Sequence, residues 1–217
     1  MMNCERRRDE PALRGRHKVM LTRSASTRLP TAFGEFKLLA YTENGEASPH
    51  LALVKGQLER AASPLVRIHS ECLTGEVFAS QRCDCGFQLE AAIREIEREG
   101  VGVIVYLRQE GRGIGLLNKL HAYSMQDGGL DTVDANLHLG FEADARDYSA
   151  AIEILQDLGV RAVRLLTNNP DKIAALERSP IHLAARVPLV APPTAHSRDY
   201  LETKRRRMGH LLADVKG

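Results

Sequence analysis

The stretch VGVIVYLRQEGRGIG, residues 101–115, opens with a near-continuous apolar and β-branched run and breaks into a polar, glycine-rich loop. A run such as Val101–Leu107 fits a strand buried on both faces of a sheet, the pattern of parallel sheets covered by helices. Upstream, Gln88–Glu99 places Leu89, Ala92, Ile93 and Ile96 at helical spacing and stops at Gly100, the residue type that ends helices. Downstream, Ser149–Leu158 carries Ile152, Leu155 and Leu158 on one face, and Gly159 closes it. VRAVRLL, residues 160–166, then predicts another strand before TNNP. Pro170 starts a third helix over DKIAALERS, proline being favoured in a first turn. Strands alternating with helices predict an α/β fold, a mixed sheet layered α/β/α. In such sheets ligands bind in the loops after the strand ends, where the polar clusters of this chain fall.

Toward the N-terminus, FGEFKLLAY (33–41) and LALVKGQL (51–58) alternate apolar and polar residues around the turn-rich TENGEASPH, which predicts a β-hairpin at the N-terminal side of the sheet. After Pro64, LVRIH (65–69) reads as a strand leading into the cysteine-rich SECLTGEVFASQRCDCGFQ. Residues 1–26 are Arg-rich with no apolar core for a signal peptide, and Glu5, Asp9 and Glu10 speak against a transit peptide. A disordered arm over 1–26 and a single catalytic domain over 27–217 are expected, with order beginning near Thr27. The tail from Ser197 to Lys216 contains KRRR, expected as the solvated face of a helix.

The 217 residues carry 30 Lys plus Arg against 28 Asp plus Glu, and the resulting +2 argues against a whole-molecule nucleic-acid binder. With no Trp and 5% aromatics, a base-stacking platform is not expected either. Mean hydropathy is −0.27 and no apolar run approaches the ~18 residues of a membrane span, so a soluble protein without a membrane partner is expected. Four cysteines are too few for a disulfide scaffold and suggest a metal or reactive thiol in a reducing, cytoplasmic setting.

Cys72, Cys83 and Cys85 would meet on one cation if the chain turned between the first two. Thiolates favour zinc, and three protein ligands leave a fourth tetrahedral position open, as in catalytic sites. With His69 as fourth ligand the same residues make a closed structural site, and the residues alone leave the two readings even. A bridge between Cys83 and Cys85 is strained by their spacing, and Cys4 reads as a spectator in the arm. Arg67, His69, Glu71, Arg82 and Asp84 crowd the same stretch, a charge density that a structural knuckle does not need. RQEGRGIG offers backbone N–H groups with Arg108 and Arg112 to an anion, yet matches neither common phosphate-loop spacing, and a plain strand-to-helix turn explains it as well. TNNPDK brings Thr167, Asn168, Asn169 and Lys172, suited to phosphate or to helix capping. In EADARDY, Asp144 and Arg146 read by themselves as a surface ion pair, and Asp147 or Ser149 as a cap.

Five ordered segments remove most of this ambiguity. RIHSECLTGEVFASQRCDCGFQLEAA (67–92), YLRQEGRGIGLLNKLHAYSMQD (106–127), DTVDANLHLGFEADARDY (131–148), LLTNNPDK (165–172) and YLETKRRRMGHLL (200–212) resemble GTP cyclohydrolase II, over about Leu29 to Leu212. The resemblance implies hydrolysis of GTP at the entry to riboflavin biosynthesis. Guanine C8 leaves as formate, pyrophosphate is released, and a diamino-ribosylamino-pyrimidinone 5′-phosphate remains. It implies zinc on Cys72, Cys83 and Cys85 in an open site that activates water against C8, with His69 a neighbour, and magnesium on the phosphates. Arg67, Ile68, His69, Ser70, Glu71 and Gln88 match the family's GTP-binding positions, as do Glu110, Gly111, Arg112, Thr132, Thr167 and Lys172.

Tyr123 matches the tyrosine of the ring-opening step, Asp144 the proton acceptor, and Arg146 the nucleophile on the α-phosphorus. A guanidinium of pKa above ~12 is a poor nucleophile, so a clamp on the α-phosphate is the alternative for Arg146. A homodimer is implied as well. Many relatives carry a fused dihydroxybutanone-phosphate synthase domain in front, and a monofunctional chain is expected here. A paralogue in a specialised pathway would share this chemistry. A non-catalytic nucleotide-binding module and a nucleic-acid binder fit the retained residues less well.

Overall fold

Along the first strand after Pro64, Val66 and Ile68 face one side while Leu65, Arg67 and His69 face the other, and all five are buried. A strand covered on both faces needs a helical layer above and below. The computed structural model of the chain describes residues 21–43 and 48–212. In chain order the strands are β1 (Leu21–Thr31), β2 (Gly34–Glu43), β3 (His50–Lys55), β4 (Leu65–Ser70), β5 (Gly102–Leu107), β6 (Ala162–Leu166) and β7 (His182–Val187). The helices are α1 (Leu73–Glu76), α2 (Cys85–Glu99), α3 (Gly115–Asp127), α4 (Thr132–His138), α5 (Ser149–Asp157), α6 (Pro170–Glu177) and α7 (Arg198–Met208).

The strands form one mixed sheet in the order β1-β2-β3-β5-β4-β6-β7. Pairing is antiparallel from β1 to β5 through β2 and β3, and parallel from β5 through β4 and β6 to β7. One apolar layer joins Val66, Ile68, Val103 and Val105 to Ile154 and Leu155 of α5 and Leu176 of α6. The opposite layer joins Leu65, Ile104 and Leu166 to Ala92 and Ile96 of α2. The α/β/α layering with an antiparallel hairpin appended is therefore observed. Gly100 ends α2 at φ 75°, a left-handed turn that glycine takes without steric penalty, and its N–H reaches the carbonyls of Ile96 and Glu97.

The chain passes from β4 through α2 to β5, then returns across β4 to β6 through α5 on the other face. This reversal opens a crevice at the carboxyl ends of β4, β5 and β6. The loops entering it are Ser70–Cys72, RQEGRGIG and TNN.

One boundary is corrected. Residues 21–26, assigned above to a disordered arm, lie in β1, which pairs antiparallel with β2 and makes the hairpin three-stranded with β3. β1 is an edge strand exposed along most of its length, so backbone pairing and not apolar alternation holds it, and periodicity does not reveal it. Arg23 and Tyr41 both hydrogen-bond Asp157 at the end of α5, which ties the edge to the layer below. Residues 1–20, including Cys4, lie outside the described residues. Strand β7 is similarly exposed and had no sequence signal.

Candidate active site

The turn after β4 is tight enough to fold three thiols together. Helix α1 follows Cys72 at once, and a Cβ built on Gly75 would lie 2.9 Å from Cys83 Sγ and 3.3 Å from Cys72 Sγ. Only glycine leaves the sulfurs that space. Cys72 Sγ and Cys83 Sγ are 3.6 Å apart, and all three sulfurs lie within 4.8 Å of one another. No disulfide spans such a distance, since bonded sulfurs sit about 2.05 Å apart. Two thiolates on one tetrahedral zinc, each about 2.3 Å from it, are separated by about 3.8 Å, so the donor set fits that ion. One thiol is prepared for it: hydrogen bonds from Cys83 and Cys85, and then the charge of Lys119, hold Cys72 well below the ordinary thiol range. Bonds to Cys72 push Cys83 up to about 11 and Cys85 well above its ordinary value, so those two keep their protons until a cation displaces them.

Lys119 on α3 donates to Cys72 Sγ at 3.2 Å and to Glu110 Oε1 at 2.7 Å. Glu110 in turn accepts from the backbone N–H of Leu73 and Gly111, joining the glycine-rich loop to α1. Arg112 adopts φ 62°, a left-handed conformation uncommon for a residue with a side chain, and its carbonyl accepts from Ala145 N. The strained loop is thus held against the segment carrying Asp144 and Arg146. Tyr123 OH lies 3.4 Å from Thr74 Oγ1, and burial raises its pKa, so the phenol keeps its proton at neutral pH. The three cysteines, Ser70, Glu71, Glu110, Gly111, Arg112, Tyr123, Thr132 and Arg146 line one cavity.

A second cavity adjoins it, sharing Ser70, Cys85, Arg146 and Tyr200. Its walls include Arg67, His69, Gln88, Thr167 and Lys172. Arg67 donates to Leu166 O and to Gln88 Oε1, and Lys172 Nζ to Ile68 O at 2.8 Å, so both cations meet neutral oxygens. Burial lowers Arg67 to about 10 and pushes Lys172 far down, helped by Arg67, Arg146 and Lys204. Arg146 and Lys204 are paired with Asp144 and Asp84, whereas Arg67 and Lys172 hydrogen-bond no carboxylate, so these two are the groups an anion in the cavity could pair with. Arg67 Nε, His69 Nδ1 and Arg112 Nη2 are buried with no partner in the protein.

Asp144 grips Arg146 with both carboxylate oxygens, including Nε to Oδ1 at 2.8 Å, and this pair is mostly buried, not the surface pair read from sequence. Burial opposes both charges, yet the mutual bonds keep Asp144 below and Arg146 above their ordinary values. Asp144 lines an outer groove and meets the cavities only through Arg146. The Ile68 side chain belongs to the core, leaving its carbonyl as the contributing group. His69 Nε2 is committed to Glu76 Oε1 at 2.8 Å, and the group of possible metal ligands found among the described residues holds the three cysteines without it.

Sequence reasoning missed Glu76, Lys119, Tyr200 and Lys204. Lys204, expected on a solvated face, is buried with Nζ 2.6 Å from Asp84 Oδ1, and Asp84 separates two of the thiols. Leu211 N donates to Asn168 O, so the segment after α7 closes over the second cavity beside His210. The LETK spacing of Leu201 and Lys204 was a signal, since both lie on one face of α7.

Comparison with known proteins points the same way. A family model described as GTP cyclohydrolase II matches residues 22–188. The riboflavin biosynthesis protein RibBA of Bacillus cereus is 54% identical over 201 residues, covering 93% of this chain and 51% of that protein. RibBA of Chlorobium phaeovibrioides is 52% identical over 206 residues, covering 95% of this chain and 50% of that protein. The chain spans about half the length of these curated relatives. A solved structure of RibBX, a two domain 3,4-dihydroxy-2-butanone 4-phosphate synthase from A. baumannii, aligns with TM-score 0.44 at 22% identity, over 81% of this chain and 41% of that one.

Replacing Lys204 by Met strands Asp84 in the interior, and urea unfolding should show a loss of about 3–5 kcal/mol. Burial lowers His69 to about 4 and His210 to about 3 from an ordinary value near 6.5. Both imidazoles stay neutral in the folded chain while the unfolded chain takes up protons, so stability is full above pH ~6.5 and falls as the pH drops toward ~4. Melting temperatures across that range should fall less steeply for His210→Gln than for the unsubstituted protein.

Proposed function

Because the chain belongs to the GTP cyclohydrolase II family, we propose that it hydrolyses GTP to a diamino-ribosylamino-pyrimidinone 5′-phosphate, formate and pyrophosphate, as the first step of riboflavin biosynthesis. The observation that carries the reading is the adjacency of a three-thiol cavity and a cation-lined cavity that share Arg146. Guanine C8 would face the first and the phosphates the second. Zinc would be held by Cys72, Cys83 and Cys85, and when bound it supplies a Lewis acid that activates water for attack on carbon at neutral pH. Lys119 balances the thiolate charge beside it. Tyr123, protonated and next to the thiols, is suited to donate a hydrogen bond or proton to the opening ring.

On the phosphate side, Arg67, Lys172 and Thr167 would bind the triphosphate, and an anion would relieve the repulsion between Arg67 and Lys172. Magnesium would travel on the phosphates, since the cysteine sulfurs are too soft to suit it. The bidentate grip of Asp144 keeps Arg146 cationic and fixed, which favours Arg146 as an α-phosphate clamp and Asp144 as its orienting partner. A homodimer working in the cytoplasm completes the proposal.

The test is an incubation of zinc-loaded protein with GTP and magnesium, assaying formate and pyrophosphate together, with both expected in step. Cys83→Ser should abolish formate release, and normal release by a zinc-free Cys83→Ser protein would sink the reading. Arg146→Lys should slow pyrophosphate release by about 10²–10³. The clamp further predicts that mass spectrometry of acid-quenched turnovers finds no nucleotidyl adduct on Arg146; such an adduct would restore the nucleophile role.

A further inference from the structure

Glu76 joins elements that the site needs in register. Its Oε1 accepts from the backbone N–H of Cys72 at 2.8 Å and lies 2.8 Å from His69 Nε2. Its Oε2 accepts from Tyr106 OH at 2.7 Å. A backbone N–H can only donate, so Oε1 presents lone pairs, and the ring nitrogen sharing that oxygen must donate as well. The hydrogen of neutral His69 is therefore on Nε2. Tyr106, opposite His69 in the parallel ladder, stacks on the imidazole with centroids 5.8 Å apart and planes inclined by 20°, which fixes the ring's plane.

The other nitrogen, Nδ1, then carries a lone pair. It belongs to a side chain only 2% exposed, it has no partner in the protein, and His69 lines the cation-bounded cavity. An acceptor left unpaired in a buried site is costly unless a ligand supplies a donor. Phosphate oxygens at neutral pH have no hydrogen to give, whereas the ribose that links them to the base carries hydroxyls. We infer that Glu76 is a positioning residue that holds His69 as a hydrogen-bond acceptor for a ribose hydroxyl of the nucleotide, so that the site discriminates ribonucleotides from deoxynucleotides. This rests on the GTP reading above.

Formate release by the zinc-loaded full chain is compared for GTP, 2′-deoxy-GTP and 3′-deoxy-GTP, with zinc content measured for every variant. The unsubstituted protein should prefer GTP over at least one deoxy analogue by about tenfold or more in kcat/KM, carried mainly by KM. Glu76→Gln keeps an oxygen for Cys72 and His69 and offers its amide to Tyr106, so it should retain the preference. Glu76→Met should bring the ratio to within about twofold of unity. Long-range ¹⁵N correlation spectra, which need neither turnover nor the Met variant to fold, should find the His69 hydrogen on Nε2.

Equal use of GTP and both analogues by the unsubstituted protein overturns the inference. So does an undiminished preference in Glu76→Met, or a hydrogen on Nδ1. A chain that leaves GTP intact while its His69 hydrogen sits on Nε2 would instead fail the functional reading and support the tautomer assignment.

Discussion

Parallel pairing of β5, β4 and β6 forces three strands to end on the same edge of the sheet, and the polar chemistry of the chain is concentrated in the loops beyond those ends. Strand β4 sits between the other two and carries the apolar core and the site on one short segment. Val66 and Ile68 fill the layer under α5, while Arg67 and His69 emerge toward α2. A one-residue slip of β4 would exchange these faces, burying both polar side chains in the α5 layer and turning the apolar pair toward the cavity. The register of this strand is thus a condition of the core and of the site together.

Buried charge is the second constraint, and the structure meets it by pairing. Lys119 answers the Cys72 thiolate and Glu110, Lys204 answers Asp84, and Arg146 answers Asp144. Arg67 and Lys172 have only amide and carbonyl oxygens within hydrogen-bond reach. Their incomplete pairing is what a site retains when a ligand is to supply the missing charge. The same holds for the buried acceptor on His69, whose lack of a partner has meaning because its other nitrogen is already committed.

Much of this was legible along the chain. The apolar run of β5, the helical spacing and Gly100 of α2, and the α5–β6–α6 succession announced the layered α/β fold, because burial on two faces or one leaves a characteristic periodicity. The cysteine spacing announced a thiol cluster, and the ordered motifs pointed to the family. Strands β1 and β7 were not legible, since exposed edge strands are held by backbone hydrogen bonds, which every residue offers alike.

By itself, then, the sequence determined the fold class, the thiol cluster and the motifs that line the two cavities, because periodicity and motif spacing are local properties. Only the tertiary structure decided which groups complete the site from a distance. The Lys204 ammonium reaches Asp84 across 120 positions, and Asp144 and Arg146 turn from a surface pair into a mostly buried ion pair. Glu76, an unremarked acid in a short helix, becomes the acceptor that sets the His69 tautomer. A charge declares its type in sequence, but its burial and its partner, which govern what it does, exist only once the layers have closed around it.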